Sequence, residues 1–291
     1  MKIPSRLTLS FILFCTLITI QPMWGALIHR YSFDGPAGAD ASGATLTDSV
    51  GNAHGTVLGA GAVFNGSGNA LDLPGGNSGS AAYGDLPNNL VSSLTEVTVE
   101  GWVTIDAAGH NWARIFDFGS TEPGGVNGEV TGPGNTNGGG TGGLDYFFLS
   151  AARGTDYNVQ RVEVRNEDPA GGGTSSLDSG VPTIFGQQIH FAVTWKDTAV
   201  GTSEINYWRD GVQLTTAGVA NSNLGDLNDV NMWLGRSNWL GDANLDATFD
   251  EFRIYDTALD AQQIADSRTA GPGGFDVDSD NDGLPDDYED Q

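Results

Sequence analysis

The segment TEVTVEGWVTI (residues 95–105) alternates between two kinds of side chain over eleven residues. One face would carry Val97, Val99, Val103 and Ile105, and the other Thr98, Glu100, Trp102 and Thr104. A period of two that is rich in β-branched residues is typical of a strand with one buried face. The segment therefore predicts a strand in a sheet that packs on a core.

The same alternation recurs along most of the chain and is bounded by Gly, Asn, Asp and Pro. It is found in LIHRYSF (27–33), WARIFDFG (112–119), LDYFFLSA (144–151), YNVQRVEVRN (157–166), QIHFAVTW (188–195), EINYWRDG (204–211), NMWLG (231–235) and ATFDEFRIY (247–255). Asp210-Gly211 predicts a tight hairpin turn. One helix is predicted, over 261–267, because Asp260 and Gln263 form a capping-box pattern. Many strands with one helix predict an all-β antiparallel sandwich.

The N-terminal 26 residues have the pattern of a secretory signal peptide. Lys2 and Arg6 precede an apolar run (7–20), and QPMWGA (21–26) ends in small residues. We expect cleavage after Ala26 and a secreted or cell-surface protein; a retained signal anchor is the alternative. The single Cys15 lies in this segment, so the mature chain would have neither disulfides nor zinc–thiolate sites.

The charge balance excludes some partners. The chain of 291 residues has 37 Asp+Glu against 12 Lys+Arg, a formal charge of −25, and loss of the signal peptide would make it −27. Such a surface repels phosphate backbones and anionic lipids, so nucleic-acid and membrane-surface binding are disfavoured. Cations are the expected partners.

The acidic C-terminal segment (276–291), which follows a Gly/Pro linker (271–275), has the spacing of a calcium-binding loop. Oxygen ligands occur at positions 1, 3, 5, 9 and 12, glycine at 6 and a backbone carbonyl at 7. The predicted Ca²⁺ ligands are Asp278, Asp280, Asp282, the Leu284 carbonyl, Asp286 and Glu289. The alternative is a solvated acidic tail whose spacing is coincidental.

Several segments, in order, resemble the laminin-G-like members of the concanavalin A-like lectin/glucanase superfamily. They are HRYSFDG (29–35), TDSVGNAHGTV (47–57), VTVEGWV (97–103), IHFAVTW (189–195), YWRDGVQL (207–214), LGRSNW (234–239) and FDEFRIYDTALDAQQI (249–264). The resemblance implies a jelly-roll sandwich of two antiparallel sheets over residues 27–270. The C-terminal loop resembles instead a thrombospondin type 3 repeat of bacterial surface proteins.

The resemblance also implies a second calcium site in the sandwich. The matching residues are Asp48 and Asp250, with Asn52 and His54 as ligands through their backbone carbonyls. For Asp48 and Asn52 the alternative is turn chemistry, in which their side chains bind local backbone N–H groups.

Ligand recognition would use aromatic side chains that lie outside the core. Trp102 and Trp195 are expected in the core, because they lie in central strands. Trp112 and Trp239 flank loop segments and are the candidate sugar platforms. Arg236 and Asn238 would be polar partners close to Trp239.

No E-x-D-x-x-E motif of the glucanase-like members occurs in the sequence. The leading hypothesis is therefore a non-catalytic, calcium-dependent carbohydrate-binding or adhesion module that is part of a larger extracellular protein. A protein-interaction domain without a sugar site is the alternative. A polysaccharide-degrading glycosidase with an unrecognised carboxylate pair comes third.

Overall fold

The computed structural model describes residues 25–106, 111–122, 128–133, 142–166, 173–220 and 222–274. Within these ranges the strands are β1 (Leu27–Tyr31), β2 (Thr45–Leu46), β3 (Gly55–Leu58), β4 (Val63–Phe64), β5 (Leu71–Gly76), β6 (Tyr83–Leu86), β7 (Glu96–Ile105), β8 (Arg114–Thr121), β9 (Gly143–Ser150), β10 (Arg161–Arg165), β11 (Thr174–Asp178), β12 (Gln188–Ala199), β13 (Thr202–Arg209), β14 (Val212–Ala220), β15 (Asn231–Leu234) and β16 (Asn244–Tyr255). The helix α1 spans Ala261–Ala270.

The strands form two eight-stranded antiparallel sheets. The first sheet has the order β14-β13-β12-β7-β16-β5-β4, with β1 also paired to β16. The second sheet has the order β11-β10-β9-β8-β15-β6-β3-β2. Hairpins of consecutive strands alternate with neighbours that are far apart in the chain, such as β7 with β16 and β8 with β15, and the predicted all-β sandwich is confirmed.

The inward faces of the two sheets meet in an aromatic core. Phe116 of β8 lies with its ring centre 5.2 Å from Phe147 of β9, 6.1 Å from Phe191 of β12 and 6.4 Å from Phe252 of β16. All four side chains are fully buried. Because these rings come from both sheets, they fix how the sheets pack face to face.

Two local predictions are confirmed. Asp210 and Gly211 have φ angles of 52° and 78° and connect β13 to β14, as a two-residue hairpin turn requires. Asp260 caps α1 by accepting hydrogen bonds from the backbone of Gln262 and Gln263, and the Gln263 side chain returns to the Asp260 N–H. The helix packs on the first sheet through Ile264 and Ser267.

A row of buried charged groups lies beneath α1. Glu100 of β7 is fully buried and accepts from Arg253 Nη1 at 3.1 Å. It also accepts from Tyr255 Oη at 2.9 Å and Ser267 Oγ at 2.6 Å, and lies 3.1 Å from His190 Nε2. One carboxylate thus connects three strands of the first sheet to the helix.

Glu251 extends the row to the first strand. It accepts two hydrogen bonds from Arg30, at 3.0 and 3.1 Å, and one from Arg253 Nε. The backbone N–H of Gly273 donates to it at 2.9 Å. The segment that follows α1 is therefore held on the same polar row.

Substitution of Glu100 by Gln should destabilise the fold. The change leaves the buried guanidinium of Arg253 without one of its charged partners, and breaking a buried pair in this way costs about 3–5 kcal/mol. Urea unfolding followed by tryptophan fluorescence measures the loss. Glu204→Gln, an exposed carboxylate on β13, is the matched control and should change stability by less than about 0.5 kcal/mol. Equal effects of the two changes would contradict the role of the buried row.

Acid should weaken the fold through the same residue. Burial alone would raise the pKa of Glu100, but His190 and Arg253 hold it at about 2, below its ordinary value of 4.5. The stabilisation is therefore complete above pH 4.5 and is lost as the pH falls towards 2. In unfolding curves from pH 7 to 2, the difference between the wild type and Glu100→Gln should shrink below pH 4.5. A difference that stays constant would count against the ion pair as its source.

Candidate functional site

A groove with aromatic walls lies on the outer face of the second sheet and has a volume of about 310 Å³. We call it the aromatic groove. Its lining residues are Trp112, Arg114, Tyr146, Phe148, Glu163, Trp239 and Asp242. They come from β8, β9 and β10 and from the loops before β8 and β16. This size suits a ligand of one to a few rings.

The floor of the groove follows from strand alternation. In β9, Phe147 and Leu149 point into the core, so Tyr146 and Phe148 point outward. Glu163 of β10 is paired with Phe148 across the strands. It accepts a hydrogen bond from the Tyr146 hydroxyl at 2.9 Å. Two aromatic rings and a carboxylate are therefore presented together by neighbouring strands.

Two tryptophans that belong to loops close the groove. The Trp112 ring packs near Gly154, which has φ +63° and where a Cβ would lie 3.4 Å from Trp112 Nε1. The Trp239 ring packs on Gly143, where a Cβ would lie 3.2 Å from the ring and 2.8 Å from Tyr146. Glycine at 143 therefore gives the ring room to lie against the strand.

Arginines support the aromatic rings. The Arg114 guanidinium lies 3.8 Å from the centre of the Phe148 ring and 5.5 Å from that of Trp112. Arg165 lies 5.9 Å from the centre of Tyr146 and 5.8 Å from that of Trp239. Cations over aromatic faces are attracted by the ring quadrupole, so these contacts hold the rings in place.

Carboxylates balance these cations. Arg114 is paired with buried Asp117, at 3.2 Å, and with Asp242, at 3.5 Å. Burial raises the pKa of Asp117 to about 6, although Arg114 and hydrogen bonds from Asn238 lower it. Burial likewise raises the pKa of Asp242. The groove thus combines aromatic surface with carboxylates that can accept hydrogen bonds from hydroxyl groups.

The sequence prediction for this site is met in part. Trp112 and Trp239, which are 127 positions apart in the numbering, line the same groove. Trp102 and Trp195 are buried, as expected of core residues. Sequence reasoning missed Tyr146, Phe148, Glu163 and Asp242. The sequence contains one signal for the outward-facing aromatics, YFF at 146–148. Successive side chains of a strand point to opposite faces, so these three rings cannot all lie in the core.

Arg236 and Asn238 do not reach the groove, contrary to the expectation that they would contact a ligand. Arg236 is fully buried, and its guanidinium lies 4.4 Å from the ring centres of both Tyr83 and Trp233. Asn238 is also fully buried and donates to Asp117 through its backbone N–H, at 2.9 Å, and its side-chain amide, at 2.8 Å. Both residues hold the loop that carries Trp239.

The Asp48 carboxylate, which the resemblance implies as a calcium ligand, is occupied by hydrogen bonds of the turn. Its oxygens accept from the backbone N–H groups of Arg30, Val50, Gly51 and Ala53 and lie 2.7 Å from His29 Nδ1. Burial would raise the pKa of Asp48, but these donors lower it to about 2. The alternative, turn chemistry, is what the structure contains.

The other residues of that expected site have different roles. Asn52 adopts a left-handed conformation (φ 61°), as turn residues do. His54 Nδ1 accepts from the Asp48 backbone N–H at 3.1 Å, so the His54 ring belongs to the same turn. Asp250 accepts from the Gln188 amide at 2.7 Å, so its partner is a neutral group.

A different group of carboxylates meets on the outer face of the first sheet. Oxygens of Asp72, Asp106 and Asp246 all lie within 4.8 Å of one another. Burial and the neighbouring carboxylates raise the pKa of both Asp72 and Asp106. Calcium takes six to eight oxygen ligands at 2.3–2.6 Å, and three carboxylates at this spacing can supply part of such a shell. Strands β5 and β16 and the end of β7 bring them together, which sequence spacing alone did not indicate.

Two predicted elements lie outside the described residues. They are the signal peptide (1–26), except for its last two residues, and the calcium loop with its ligands from Asp278 to Glu289. Among the described residues, no helix is long and apolar enough to cross a membrane.

Solved structures share the fold at low sequence identity. Domain 4 of AbnA, an extracellular GH43 arabinanase from Geobacillus stearothermophilus, was solved with arabinotriose; it is 21% identical with a TM-score of 0.57, covering 83% of this chain and 98% of that one. Trypanosoma rangeli sialidase is 15% identical with a TM-score of 0.55, and the match covers 84% of this chain and 33% of the sialidase.

The receptor-binding domain of botulinum neurotoxin type G is 11% identical with a TM-score of 0.53, covering 84% of this chain and 51% of that one. These likenesses concern the fold. A search of curated proteins gives no match.

A laminin-G family profile matches residues 77–265, which include the aromatic core, the groove-bearing strands and the first half of α1. The match spans more than half of the chain and agrees with the two antiparallel sheets described above. The chain therefore belongs to the concanavalin A-like lectin/glucanases superfamily.

Proposed function

We propose that this protein is a secreted, calcium-dependent carbohydrate-binding module that acts without catalysis and uses the aromatic groove as its sugar site. The observation that carries the proposal is the convergence of Trp112, Trp239, Tyr146 and Phe148 around Glu163. Aromatic faces pack against the C–H faces of sugar rings, while a carboxylate accepts hydrogen bonds from their hydroxyls. A surface groove with this pairing suits a carbohydrate better than a wholly apolar ligand.

A structure with a similar fold supports the proposal. The arabinanase domain, 98% of which is covered by the match, was solved with arabinotriose. It is a separate domain of a polysaccharide-degrading enzyme, which is the kind of context we propose here. Fold alone does not carry function, so the groove residues remain the argument.

A glycosidase is the second candidate, because two carboxylates, Glu163 and Asp242, line the groove. Glycosidases use such a pair, one of them as a general acid whose pKa is raised by burial. The pKa of Asp242 is raised by burial, whereas Asp242 is also paired with Arg114, 3.5 Å away. A cationic partner lowers the pKa of a carboxyl group and so opposes its action as a proton donor. This favours binding over hydrolysis.

The protein has two candidate calcium sites. The loop from Asp278 to Glu289, a thrombospondin type 3-like repeat by its sequence, supplies a full set of oxygen ligands. The three carboxylates Asp72, Asp106 and Asp246 supply a partial set on the sandwich. The N-terminal signal pattern (1–26) supports export, and we propose an adhesion or accessory role as part of a larger extracellular protein.

Loss of either the Trp239 ring or the Glu163 charge should weaken sugar binding. Trp239→Ala removes a stacking surface and Glu163→Gln a hydroxyl acceptor, and we expect each to weaken binding at least tenfold. A glycan array identifies the sugar, and isothermal titration calorimetry on the hit measures affinity. Glu204→Gln, exposed on the other sheet, is the control and should bind as the wild type does. Absence of binding to every glycan would instead favour a protein-interaction domain.

A reducing-sugar assay separates the two candidates. The wild type should release no reducing ends from arabinan, xylan or laminarin while binding at least one of them. Hydrolysis that disappears in both Glu163→Gln and Asp242→Asn would establish the glycosidase instead. Hydrolysis that persists in both variants would point to a contaminant.

Calcium should stabilise the protein through the three carboxylates. EDTA should lower the melting temperature, and added calcium should restore it. Asp106→Asn relieves like-charge repulsion, so without calcium it should melt higher than the wild type. With calcium it should gain less than the wild type does. Glu204→Gln again serves as the control. If Asp106→Asn keeps the whole calcium gain, the stabilising ion binds elsewhere, and Asp282→Asn then tests the C-terminal loop.

A further inference from the structure

The two tryptophans of the aromatic groove lie at opposite ends of it. Trp112 is close to Arg161, whose guanidinium is 5.8 Å from the ring centre, and Trp239 is equally close to Arg165. Arg161 and Arg165 are the two ends of β10, four residues apart. At 3.2–3.4 Å per residue, their backbones are about 13 Å apart. The backbones of the two arginines that contact the tryptophans are thus farther apart than a single sugar ring is wide, which favours a ligand of more than one unit.

The middle of the groove is built for contact as well. Phe148 and Glu163 are paired in register halfway between the two ends. The Phe148 ring is 1% exposed beneath the Arg114 guanidinium and forms the floor, and the carboxylate, one-eighth exposed, offers acceptors to hydroxyl groups. A ligand that spans the groove therefore meets aromatic surface at its two ends and a polar acceptor at its centre.

The charges of the groove are matched internally. Arg114 is paired with Asp117 and Asp242, and Arg161 lies 3.1 Å from Glu163. Arg161 also pairs with Asp178, at 2.7 Å, on β11. Because the carboxylates already balance these cations, and the whole chain carries −25, the groove offers little to an anionic sugar.

One buried residue links the two ends. Asp117 accepts from Arg114 Nε, at 3.2 Å, and from the backbone and side chain of Asn238. Arg114 also donates to the Trp112 carbonyl oxygen, and Asn238 directly precedes Trp239. The spacing of the two tryptophans is therefore held before a ligand arrives, which reduces the entropy lost on binding.

We propose that the aromatic groove binds a linear, uncharged oligosaccharide of at least two or three linked sugar units, stacked at one end on Trp112 and at the other on Trp239. Asp117 is the positioning residue that keeps the two platforms at the required distance. The proposal rests on the proposed carbohydrate-binding function and specifies the class and length of its ligand.

Calorimetric titration of the full chain with size-graded oligosaccharides tests the proposal. The probes are arabino-, xylo- and laminari-oligosaccharides of one to six units, with oligogalacturonides as the anionic series. Affinity should rise at least tenfold between one unit and three in a neutral series and then level off. The oligogalacturonides should bind more weakly than the neutral series. A monosaccharide that binds as tightly as the trisaccharide, or a preference for the anionic series, would overturn the proposal.

Variants locate the two ends. Trp112→Ala and Trp239→Ala should each remove the rise in affinity with oligosaccharide length, so that three units bind no better than one. Trp112→Phe and Trp239→Phe should recover part of that rise. Asp117→Asn should weaken three units but not one, since it disturbs the spacing and neither platform. Glu204→Gln should behave as the wild type, and thermal melting confirms that each variant is folded. If only one tryptophan affects affinity at every length, the two-ended site is wrong although sugar binding stands; if no saccharide binds, the proposed function itself fails.

Discussion

Arg253 lies fully buried between two carboxylates, Glu100 and Glu251, and the rest of the sandwich is arranged around this contact. The three residues lie on the adjacent strands β7 and β16, and their other partners extend to β1, β12 and α1. Buried carboxylates are tolerated only with charged partners and satisfied hydrogen bonds. The helix and the Gly-rich segment after it are held in place because they complete that set of partners.

The small number of cationic side chains also constrains the second sheet. The chain has 12 Lys+Arg for 37 Asp+Glu, so most of its carboxylates must face water. At Asp117, which is fully buried, an arginine lies against the carboxylate and also against aromatic rings. The groove therefore depends on a buried acid that holds an arginine, and on the aromatic faces that this arginine contacts.

Much of this fold can be read from local patterns, and the groove only in part. The strand at 95–105, the Asp210-Gly211 turn and the Asp260 cap each depend on neighbouring residues, and each is confirmed. The expectation that only one face of that strand is buried is wrong, because Thr98, Glu100 and Trp102 are buried as well. The short strands β2 to β6 are absent from the prediction, because their two to six residues lie among glycines and have no periodicity of their own. Their existence depends on pairing partners elsewhere in the chain, such as Asp72 opposite Thr248.

The site shows the same division between local and distant information. Trp112 and Trp239 stand out in the sequence as tryptophans beside loops, but their distance apart is set by Asp117, which no spacing connects with either. Arg236 and Asn238 were expected at the ligand because they are close to Trp239 in sequence, and in a loop that closeness says little about direction. Asn238 turns inward to Asp117, and this is what lets Trp239 face outward. Asn238, which the sequence suggested as a ligand contact, therefore holds the neighbouring Trp239 in the orientation that a ligand would contact.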